Sequence, residues 1–419
     1  MPEATAAGLV AWRKHLVDDV LGWWMSHGPD ARYGGVQTCW DNAGETLVST
    51  DKYTWSQGRW VWLMARVAAA AGRGVLDLDP EPYLRQARST AAFVRDHALL
   101  ADGSTAYVTD RAGTPKEPVA GQGLNVSVFA DLFAALGFAG LAQFDSEWGE
   151  PAEAILLSAA ERIGNGTYRS EPYPVPDGHA SFALPMILLG VGEQVHRATG
   201  SARSLEIVQQ AVAAIEQTFL RGVEVVEMPP RAGLPGADDR GDTLLSRHRA
   251  PGHTLEALWF LHHAADLVPG TLAASPDRLS DLAIHACELG WDDEHGGLFR
   301  FVDTDRGEPA GRRTDDPYEK LVVGTWDTKL WWPHAEAIYT TALLGRAAGR
   351  ADVAGWHEKL VRYTMETFPA GPGREWIQIR RRDGSPLDAT VALPVKDPFH
   401  IARSLLLLVE LLDHNKEVR

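Results

Sequence analysis

Hydrophobic residues recur along most of this chain with the spacing of α-helices. In the first such segment Leu9, Leu16, Val20 and Trp24 fall near one stripe, and charged residues take the other side. The same periodicity predicts twelve helices, at residues 5–26, 53–71, 80–98, 126–142, 150–163, 180–199, 203–219, 252–267, 276–289, 334–347, 352–368 and 400–414. The chain is therefore predicted to be helical along most of its length.

Short segments of alternating polarity separate the helices. Residues 33–44 and 296–307 each contain glycines, an alternating run, an Asp and a Gly turn, and residues 102–113 and 376–384 are weaker versions. The pattern predicts β-hairpins closed by Asn/Asp-Gly-type turns. Helices in pairs, with such segments between them, indicate an internal repeat of roughly 60–70 residues.

Six helical hairpins that close into a ring, an all-α (α/α)6 barrel, account for this helix count without a domain break. We therefore expect a single domain over residues 1–419. A superhelical solenoid is the alternative, and it would show plainer repeats. The Pro/Gly-rich stretches 170–178 and 228–242 are expected to be long ordered loops, which often border functional sites.

Charge and composition narrow the classes of function. The 419 residues include 40 Lys+Arg and 56 Asp+Glu, a formal charge of −16, which argues against a nucleic-acid or anionic-membrane partner. Two distant cysteines predict no disulfide framework and no metal-ligand spacing. No signal-peptide pattern or membrane-length apolar run occurs, so a cytoplasmic location is expected. A homodimer is among the assemblies compatible with the sequence.

The segment Lys329–Ala337 holds two adjacent tryptophans, a proline, and then His334 and Glu336 at a predicted helix start. Tryptophan faces pack against pyranose rings, and ionisable groups can hydrogen-bond hydroxyls or move protons. The functional interpretation is a sugar-binding pocket that includes Trp332. The alternative is a buried helix start with a hydrogen-bonded histidine.

Three further segments combine ionisable residues with helix starts. His253 follows Pro-Gly and precedes Glu256 by three residues, so the carboxylate could orient the imidazole or form an ordinary surface pair. The spacing is not that of a His-Glu-x-x-His zinc site. His400 also begins a helix, with Arg403 one turn later, and Arg59 lies among tryptophans, where it could bind a ligand or extend to solvent.

In a closed ring, helix starts that share one rim converge on one cavity. Two imidazoles, a carboxylate and an arginine there suit removal of a proton next to a carbonyl, because histidine titrates near neutral pH and Arg59 could hold the developing enolate oxygen. The sequence contains neither a phosphate-binding Gly-Lys-Ser/Thr loop nor a Gly-x-Ser-x-Gly motif.

At these residues the chain resembles the N-acylglucosamine 2-epimerase family, which includes renin-binding proteins, cellobiose 2-epimerases and mannose isomerases. The matching segments run in family order through nearly the whole chain: Gln57–Arg59, Pro251–Phe260, Gly296–Phe299, Lys329–Ala337 and Phe399–Arg403. The resemblance implies an (α/α)6 barrel that is a single catalytic domain.

The resemblance also implies roles for individual residues. His253 and His400 would be the acid/base pair, with Arg59 and Glu336 essential in the pocket. The supporting roles are orientation of His253 by Glu256, support of His400 by Arg403, and pocket walls from Arg247, Trp332 and His334. Family members carry a His or Lys on the sixth helix, whereas residues 183–187 here are apolar, so that role is unfilled unless His179 reaches in.

The implied reaction is proton transfer at C2 of an open-chain aldose, without a metal or redox cofactor, and the implied partner is a small-molecule monosaccharide. A glucosamine/mannosamine-type sugar is favoured, and mannose–fructose isomerisation is the runner-up. More remote alternatives are an (α/α)6 glycoside hydrolase with two catalytic carboxylates and a non-catalytic protein-binding scaffold.

Overall fold

Six helices, buried on most of their surface, form the inner wall of a barrel. The structure is a computed structural model and describes residues 6–232 and 241–413. Within these ranges the inner helices are α3 (Thr54–Gly72), α5 (Val128–Ala142), α7 (Ala183–Thr199), α10 (Pro251–His263), α13 (Trp331–Ala348) and α15 (His400–Asp413). Their burial explains why apolar residues dominate their sequences.

An outer layer of amphipathic helices covers the inner wall. Its members are α1 (Ala6–Lys14) with α2 (Gly22–His27), α4 (Glu81–Phe93), α6 (Gly149–Gly164), α8 (Ala202–Ala214), α11 (Pro276–Gly290) and α14 (Ala351–Thr367). One-turn π-helical segments lie at His15–Leu21, Val94–Ala98 and Ile215–Phe219. In the described part of the chain, no helix has both the length and the apolar character needed to cross a membrane.

The inner helices pack in chain order, and α15 closes the ring against both α3 and α1. Arg13 on α1 forms an ion pair of 2.6 Å with Asp413 at the end of α15. The closed ring confirms the (α/α)6 barrel and excludes the solenoid. Two short helices, α9 (Leu244–Arg247) and α12 (Pro317–Thr325), were not predicted, because each spans fewer than three turns.

Short strands connect the helices: β1 (Lys52–Tyr53), β2 (Val108–Thr109), β3 (Pro115–Lys116), β4 (Leu220–Arg221), β5 (Glu224–Val225), β6 (His248–Arg249), β7 (Val302–Asp303), β8 (Lys329–Leu330) and β9 (Ile379–Arg380). Of these strands, β2–β3 and β4–β5 pair as local hairpins. In the antiparallel pairs β1–β2, β6–β7 and β8–β9, the strand before an inner helix pairs with the segment after the next outer helix.

The predicted β-hairpins between the helices are present, although several are only one bridge long. The segment 376–384 folds back through an Arg380–Pro386 bridge, and 33–44 through a Trp40–Leu47 bridge. β7 and β9, from 296–307 and 376–384, also pair with the distant β6 and β8. Residues 102–113 contain β2, which does continue into a hairpin with β3. The alternating pattern marked extended backbone correctly, but it did not specify the partner strand.

Two turns are built alike, one after α2 and one after α11. In each, an Asp side chain pairs with a buried Lys at about 3 Å, and two successive glycines have φ near +75°. The first turn uses Asp30, Gly34, Gly35 and Lys52, and the second uses Asp292, Gly296, Gly297 and Lys329. Each turn thus ties an outer helix to the strand that precedes an inner helix.

A close helix contact fixes the side of the barrel that carries Arg59. A Cβ added at Gly58 on α3 would lie 2.0 Å from the carbonyl oxygen of Phe133, and one at Gly137 on α5 would lie 2.5 Å from the carbonyl oxygen of Gly58. Two glycines therefore let α3 and α5 approach more closely than any other residue would allow. The two cysteines, Cys39 and Cys287, are buried and free.

Candidate active site

The first turns of the six inner helices surround a cavity of about 190 Å³. Each inner helix contributes at least one side chain to its wall: Trp55 and Arg59 from α3, Phe129 from α5, Met186 from α7, His253 from α10, Trp332 from α13 and His400 from α15. The predicted convergence of helix starts at one end of the barrel is thus what the structure shows.

His253 lies in the first turn of α10, after Pro251 and Gly252. A Cβ at Gly252 would lie 2.6 Å from the Trp332 ring, so glycine there lets the indole lie beside His253, with ring centroids 5.1 Å apart. Nδ1 of His253 is 2.9 Å from Oε1 of the buried Glu227. This contact leaves Nε2 as the nitrogen available to a ligand in the cavity.

Glu227, rather than Glu256, is the carboxylate that orients His253. Burial alone would lower the pKa of His253, but the charge and hydrogen bond of Glu227 outweigh burial and raise that pKa above 6.5. In return His253 holds the pKa of Glu227 below its ordinary value despite the burial of that carboxylate. The predicted role of Glu256 is wrong because Glu256 is bound to Arg403 instead.

His400 begins α15, and its backbone N–H donates to Oδ2 of Asp397. Its Nδ1 lies 2.8 Å from Oε1 of Glu336, so Nε2 is again left for a ligand. The Trp332 ring is 5.8 Å from the His400 ring and 5.1 Å from the His253 ring, centroid to centroid. One indole therefore lies beside both histidines.

Glu336 is fully buried on α13 and is bonded by four neighbours, one of which is the hydroxyl of Ser404 at 3.2 Å. It accepts from Nε1 of Trp259 at 2.7 Å and from Arg403 at 2.7 Å, in addition to its contact with His400. Burial would raise its pKa, but Arg403 and His400 lower it to about 2. Glu336 is therefore a permanent anion behind His400.

Arg403 joins the two carboxylates of α10 and α13. One of its nitrogens, Nη2, donates to both Glu256 and Glu336. Oxygen or nitrogen atoms of Glu256, Glu336 and His400 lie within 4.8 Å of one another, a spacing that would suit a metal ion. Because the guanidinium already bonds both carboxylates, the positive charge at this point comes from arginine. The predicted support of His400 by Arg403 thus runs mainly through Glu336.

Arg59 presents a buried cation to the cavity. Its guanidinium lies between the rings of Phe133, 4.0 Å away, and Phe399, 5.0 Å away, and Nη1 is 3.7 Å from Asp397. Burial lowers its pKa to about 10, which still leaves it charged at neutral pH. The structure therefore brings Arg59 to the same cavity as both histidines.

His334 does not face the cavity. Its buried ring lies between the carbonyl of Leu330, 2.6 Å from Nδ1, and the N–H of Leu298, 2.8 Å from Nε2. Residues at positions i and i+2 of a helix lie about 200° apart around its axis, so His334 and Glu336 point in nearly opposite directions. The alternative interpretation, a buried and hydrogen-bonded histidine, is correct, and burial lowers its pKa to about 3.

Arg247 does not line the cavity either, because Asp303 and Asp305 bind it at the rim. Arg300 is the arginine that lines the wall near His253. His179 bonds the carbonyl of Asp177 and is not part of the cavity wall, to which α7 contributes Ala183, Met186 and Ile187. The sixth-helix position is thus apolar here.

The two Pro/Gly-rich loops do border the cavity. Tyr173, from the first, lines the wall, as do Glu227 and Met228 at the start of the second. Residues 233–240 of the second loop lie outside the described residues. Glu227 was missed because it follows β5 in a loop, where no periodicity indicates which way a side chain points.

Known proteins resemble this chain in sequence along nearly its whole length. The N-acylglucosamine 2-epimerase (GlcNAc 2-epimerase) family model matches residues 187–404. The N-acylglucosamine 2-epimerase of Bos taurus is 29% identical over 424 residues, covering 97% of this chain and 92% of that protein. The human protein of that name is 28% identical and covers 96% of this chain and 91% of its own length.

Solved structures share the barrel. The cellobiose 2-epimerase of Bacillus thermoamylovorans superposes with a TM-score of 0.75 at 15% identity, over 97% of this chain and 100% of its own. A D-mannose isomerase gives 0.73 at 15% identity over 98% of each chain, and a family 76 glycoside hydrolase of Bacteroides thetaiotaomicron gives 0.57 at 10% identity over 97% and 99%. Isomerases and hydrolases therefore share this fold, whereas the sequence matches are to N-acylglucosamine 2-epimerases. This chain belongs to the N-acylglucosamine 2-epimerase family.

Proposed function

We propose that this enzyme epimerises C2 of an aldose by proton transfer between the substrate and two histidines, His253 and His400. The observation that carries the proposal is the pair of imidazoles on one cavity, each bonded through Nδ1 to a buried carboxylate and each beside Trp332. A carboxylate on Nδ1 fixes the tautomer and stabilises the imidazolium that forms when Nε2 takes a proton.

The reaction begins with the open-chain aldehyde. Nε2 of one histidine takes the C2 proton, and the C2–H electron pair forms a C1–C2 double bond while the carbonyl electrons move to the C1 oxygen. The other histidine delivers a proton to the opposite face of C2 as the C1 carbonyl re-forms. The product is the 2-epimer, and the two histidines have exchanged protonation states.

Arg59 is the group that stabilises the enediolate oxygen. Its charge lies against the aromatic rings of Phe133 and Phe399, and its contact with the carboxylate of Asp397 is long at 3.7 Å. A fixed cation in a site lined by aromatic rings interacts more strongly with developing negative charge than it would in water. Electrostatic stabilisation of this kind contributes about 3–4 kcal/mol per donor in other enzymes.

A hydrolase mechanism is less compatible with this cavity. Glycoside hydrolysis needs one carboxylic acid whose raised pKa keeps it protonated. Here the pKa values of Glu227, Glu336 and Asp397 are all lowered by neighbouring His or Arg side chains that outweigh burial, and Glu256 is bound to Arg403. No carboxylate of the described cavity wall is thus held as an acid.

The favoured substrate is an N-acylated glucosamine or mannosamine. The mammalian relatives carry the name N-acylglucosamine 2-epimerase, and the apolar wall of Ala183, Met186 and Ile187 could pack against an acyl methyl group. Aldose–ketose isomerisation is the runner-up, because return of the proton to C1 of the same enediolate gives the ketose.

NMR of the protein with N-acetylglucosamine, N-acetylmannosamine, glucose and mannose in heavy water tests the proposal. We expect deuterium at C2 of both epimers and no ketose. Deuterium at C1 together with fructose would establish the isomerase instead, and the absence of exchange in every sugar would contradict both. The double variant His253→Ala/His400→Ala is the negative control, in which no exchange at C2 is expected.

A further inference from the structure

Arg300 is a buried cation on the cavity wall whose hydrogen-bond partners are neutral. Nη1 donates to the hydroxyl of Thr325 at 3.1 Å, and Nη2 donates to the hydroxyl of Tyr173 at 3.3 Å. The residue is 6% exposed. Among residues 6–232 and 241–413, no carboxylate lies within ion-pair distance, 4.0 Å, of its guanidinium.

The other arginines around the cavity have carboxylate partners. Arg403 bonds Glu256 and Glu336, Arg59 faces Asp397, and Arg249 bonds Glu224. Glu227, the carboxylate on the same side as Arg300, is bonded to His253. A buried charge without a counter-ion is costly, so natural proteins pair such charges with another residue or with a ligand.

The side chain of Arg300 is held in place before any ligand arrives. Its backbone N–H donates to the carbonyl of Trp326 at 3.0 Å, and its guanidinium stacks 5.0 Å from the Phe301 ring. The Tyr173 hydroxyl that accepts from Arg300 also accepts from the N–H of Ala392, so two loops anchor it. A guanidinium has five N–H donors, and these contacts leave several for a ligand.

We propose that the sugar bound by this enzyme carries an anionic oxygen group, a carboxylate or a phosphate, which pairs with Arg300. The inference rests on the proposed function for the reaction at C2 and adds the substrate class. Planar guanidinium groups bind carboxylate and phosphate through two parallel hydrogen bonds, which gives both affinity and orientation. Since His253, His400 and Arg59 serve C1 and C2, the acidic group belongs to another part of the sugar.

Matched sugar pairs test the proposal in the full-length protein. The phosphate arm compares N-acetylglucosamine with its 6-phosphate, and the carboxylate arm compares glucose with glucuronate. We expect kcat/KM for C2 exchange to be at least ~10-fold higher for the anionic member of one arm, since charge-assisted hydrogen bonds to arginine exceed those to neutral hydroxyls. The arm with the preference identifies the acidic group.

Variants of Arg300 attribute the preference to this residue. Arg300→Met should lower the ratio of anionic to neutral kcat/KM by about 10- to 100-fold, and Arg300→Lys should keep part of it. Arg313→Met, which removes an exposed arginine, controls for net charge. A parent enzyme that prefers the neutral member of both pairs, or an unchanged ratio in Arg300→Met, overturns the proposal.

A binding measurement separates this inference from the proposed function. The 1,5-anhydro sugars cannot open their ring, so calorimetry with 1,5-anhydroglucitol and its 6-phosphate, and with the corresponding uronate, reports recognition without chemistry. Tighter binding of an anionic analogue that is lost in Arg300→Met supports the inference even if no sugar exchanges its C2 proton. Exchange in neutral sugars with no anionic preference in binding refutes the inference and leaves the epimerase intact.

Discussion

Oε1 of Glu227 lies 2.9 Å from Nδ1 of His253 and makes that imidazole more basic than a free histidine. Glu227→Gln keeps the side-chain shape but removes the charge, so we expect the pKa of His253 to fall. In the direction of reaction in which His253 delivers the proton to C2, His253 must be protonated, so its pKa sets the alkaline limb of the kcat/KM profile. That limb should therefore move to lower pH. NMR titration of His253 measures the pKa directly.

Glu206→Gln, an exposed change on α8, is the control for Glu227→Gln. It should leave the profile in place. A Glu227→Gln enzyme with the parent's pH profile would show that Glu227 does not tune His253.

Isotope exchange distinguishes the roles of the two histidines. His253→Ala and His400→Ala should each reduce epimerisation by about 10²- to 10⁴-fold, because each removes one of two proton-transfer groups. The remaining histidine still faces one side of C2, so each variant should exchange the C2 proton of one epimer only, with opposite epimers in the two variants. His295→Ala, a change at a partly exposed histidine on a loop, is the control. Epimerisation at the parent's rate in either variant would contradict the two-histidine mechanism.

Arg403 neutralises two buried carboxylates, so its loss should be costly. Arg403→Met leaves Glu256 and Glu336 without their cation, and we expect the free energy of unfolding to fall by about 3–5 kcal/mol. The double variant Glu256→Gln/Arg403→Met removes one of the stranded charges and should recover part of that loss. Urea unfolding measures both. A single variant as stable as the parent would mean that water or rearrangement satisfies the carboxylates.

Acid should destabilise the protein through His334. Burial lowers its pKa to about 3 from 6.5, so protonation favours the unfolded chain. The stability that this group contributes is fully present above pH 6.5 and is lost as the pH falls toward 3. In His334→Gln, which retains a donor and an acceptor but cannot titrate, the slope of unfolding free energy against pH should be shallower by up to ~1.4 kcal/mol per unit. Equal slopes would exclude His334 as a source of acid sensitivity.

The contact between α3 and α5 predicts opposite effects for two glycine substitutions on the same helix. Gly58→Ala places a methyl group 2.0 Å from the Phe133 carbonyl oxygen and should destabilise the protein by several kcal/mol, on the order of 3 or more. At Gly72 no atom lies within 4 Å of the added Cβ, so Gly72→Ala should stabilise by roughly 0.5–1 kcal/mol. Thermal unfolding compares them, and similar effects at both positions would contradict the close-contact argument.

Local periodicity explains why the helices could be predicted. Both layers of the barrel consist of helices with 3.6-residue patterns, and the predicted boundaries differ from the observed ones by only a few residues. The pairing of the strands was harder to predict, because β7 pairs with β6 although two helices lie between them in the chain. The alternating polarity that marks a strand carries no information about such a distant partner.

The same distinction applies to the site. His253 and His400 could be found because each opens a helix in a recognisable motif. The carboxylate for His253 could not, since Glu256 is close in sequence but is bound by Arg403, 147 residues away, while Glu227 comes from a loop. Helix geometry alone places His334 and Glu336 on opposite sides of α13, so the two side chains could not both be directed toward the cavity.

α15 fills the last gap in the ring, so this one helix completes both the barrel and the wall of its cavity. That helix carries His400, and also Arg403, which neutralises Glu256 and Glu336. A chain without α15 would be an open arc in which Glu256 and Glu336 lack the cation that neutralises them. Loss of α15 would therefore remove catalysis and ring closure together.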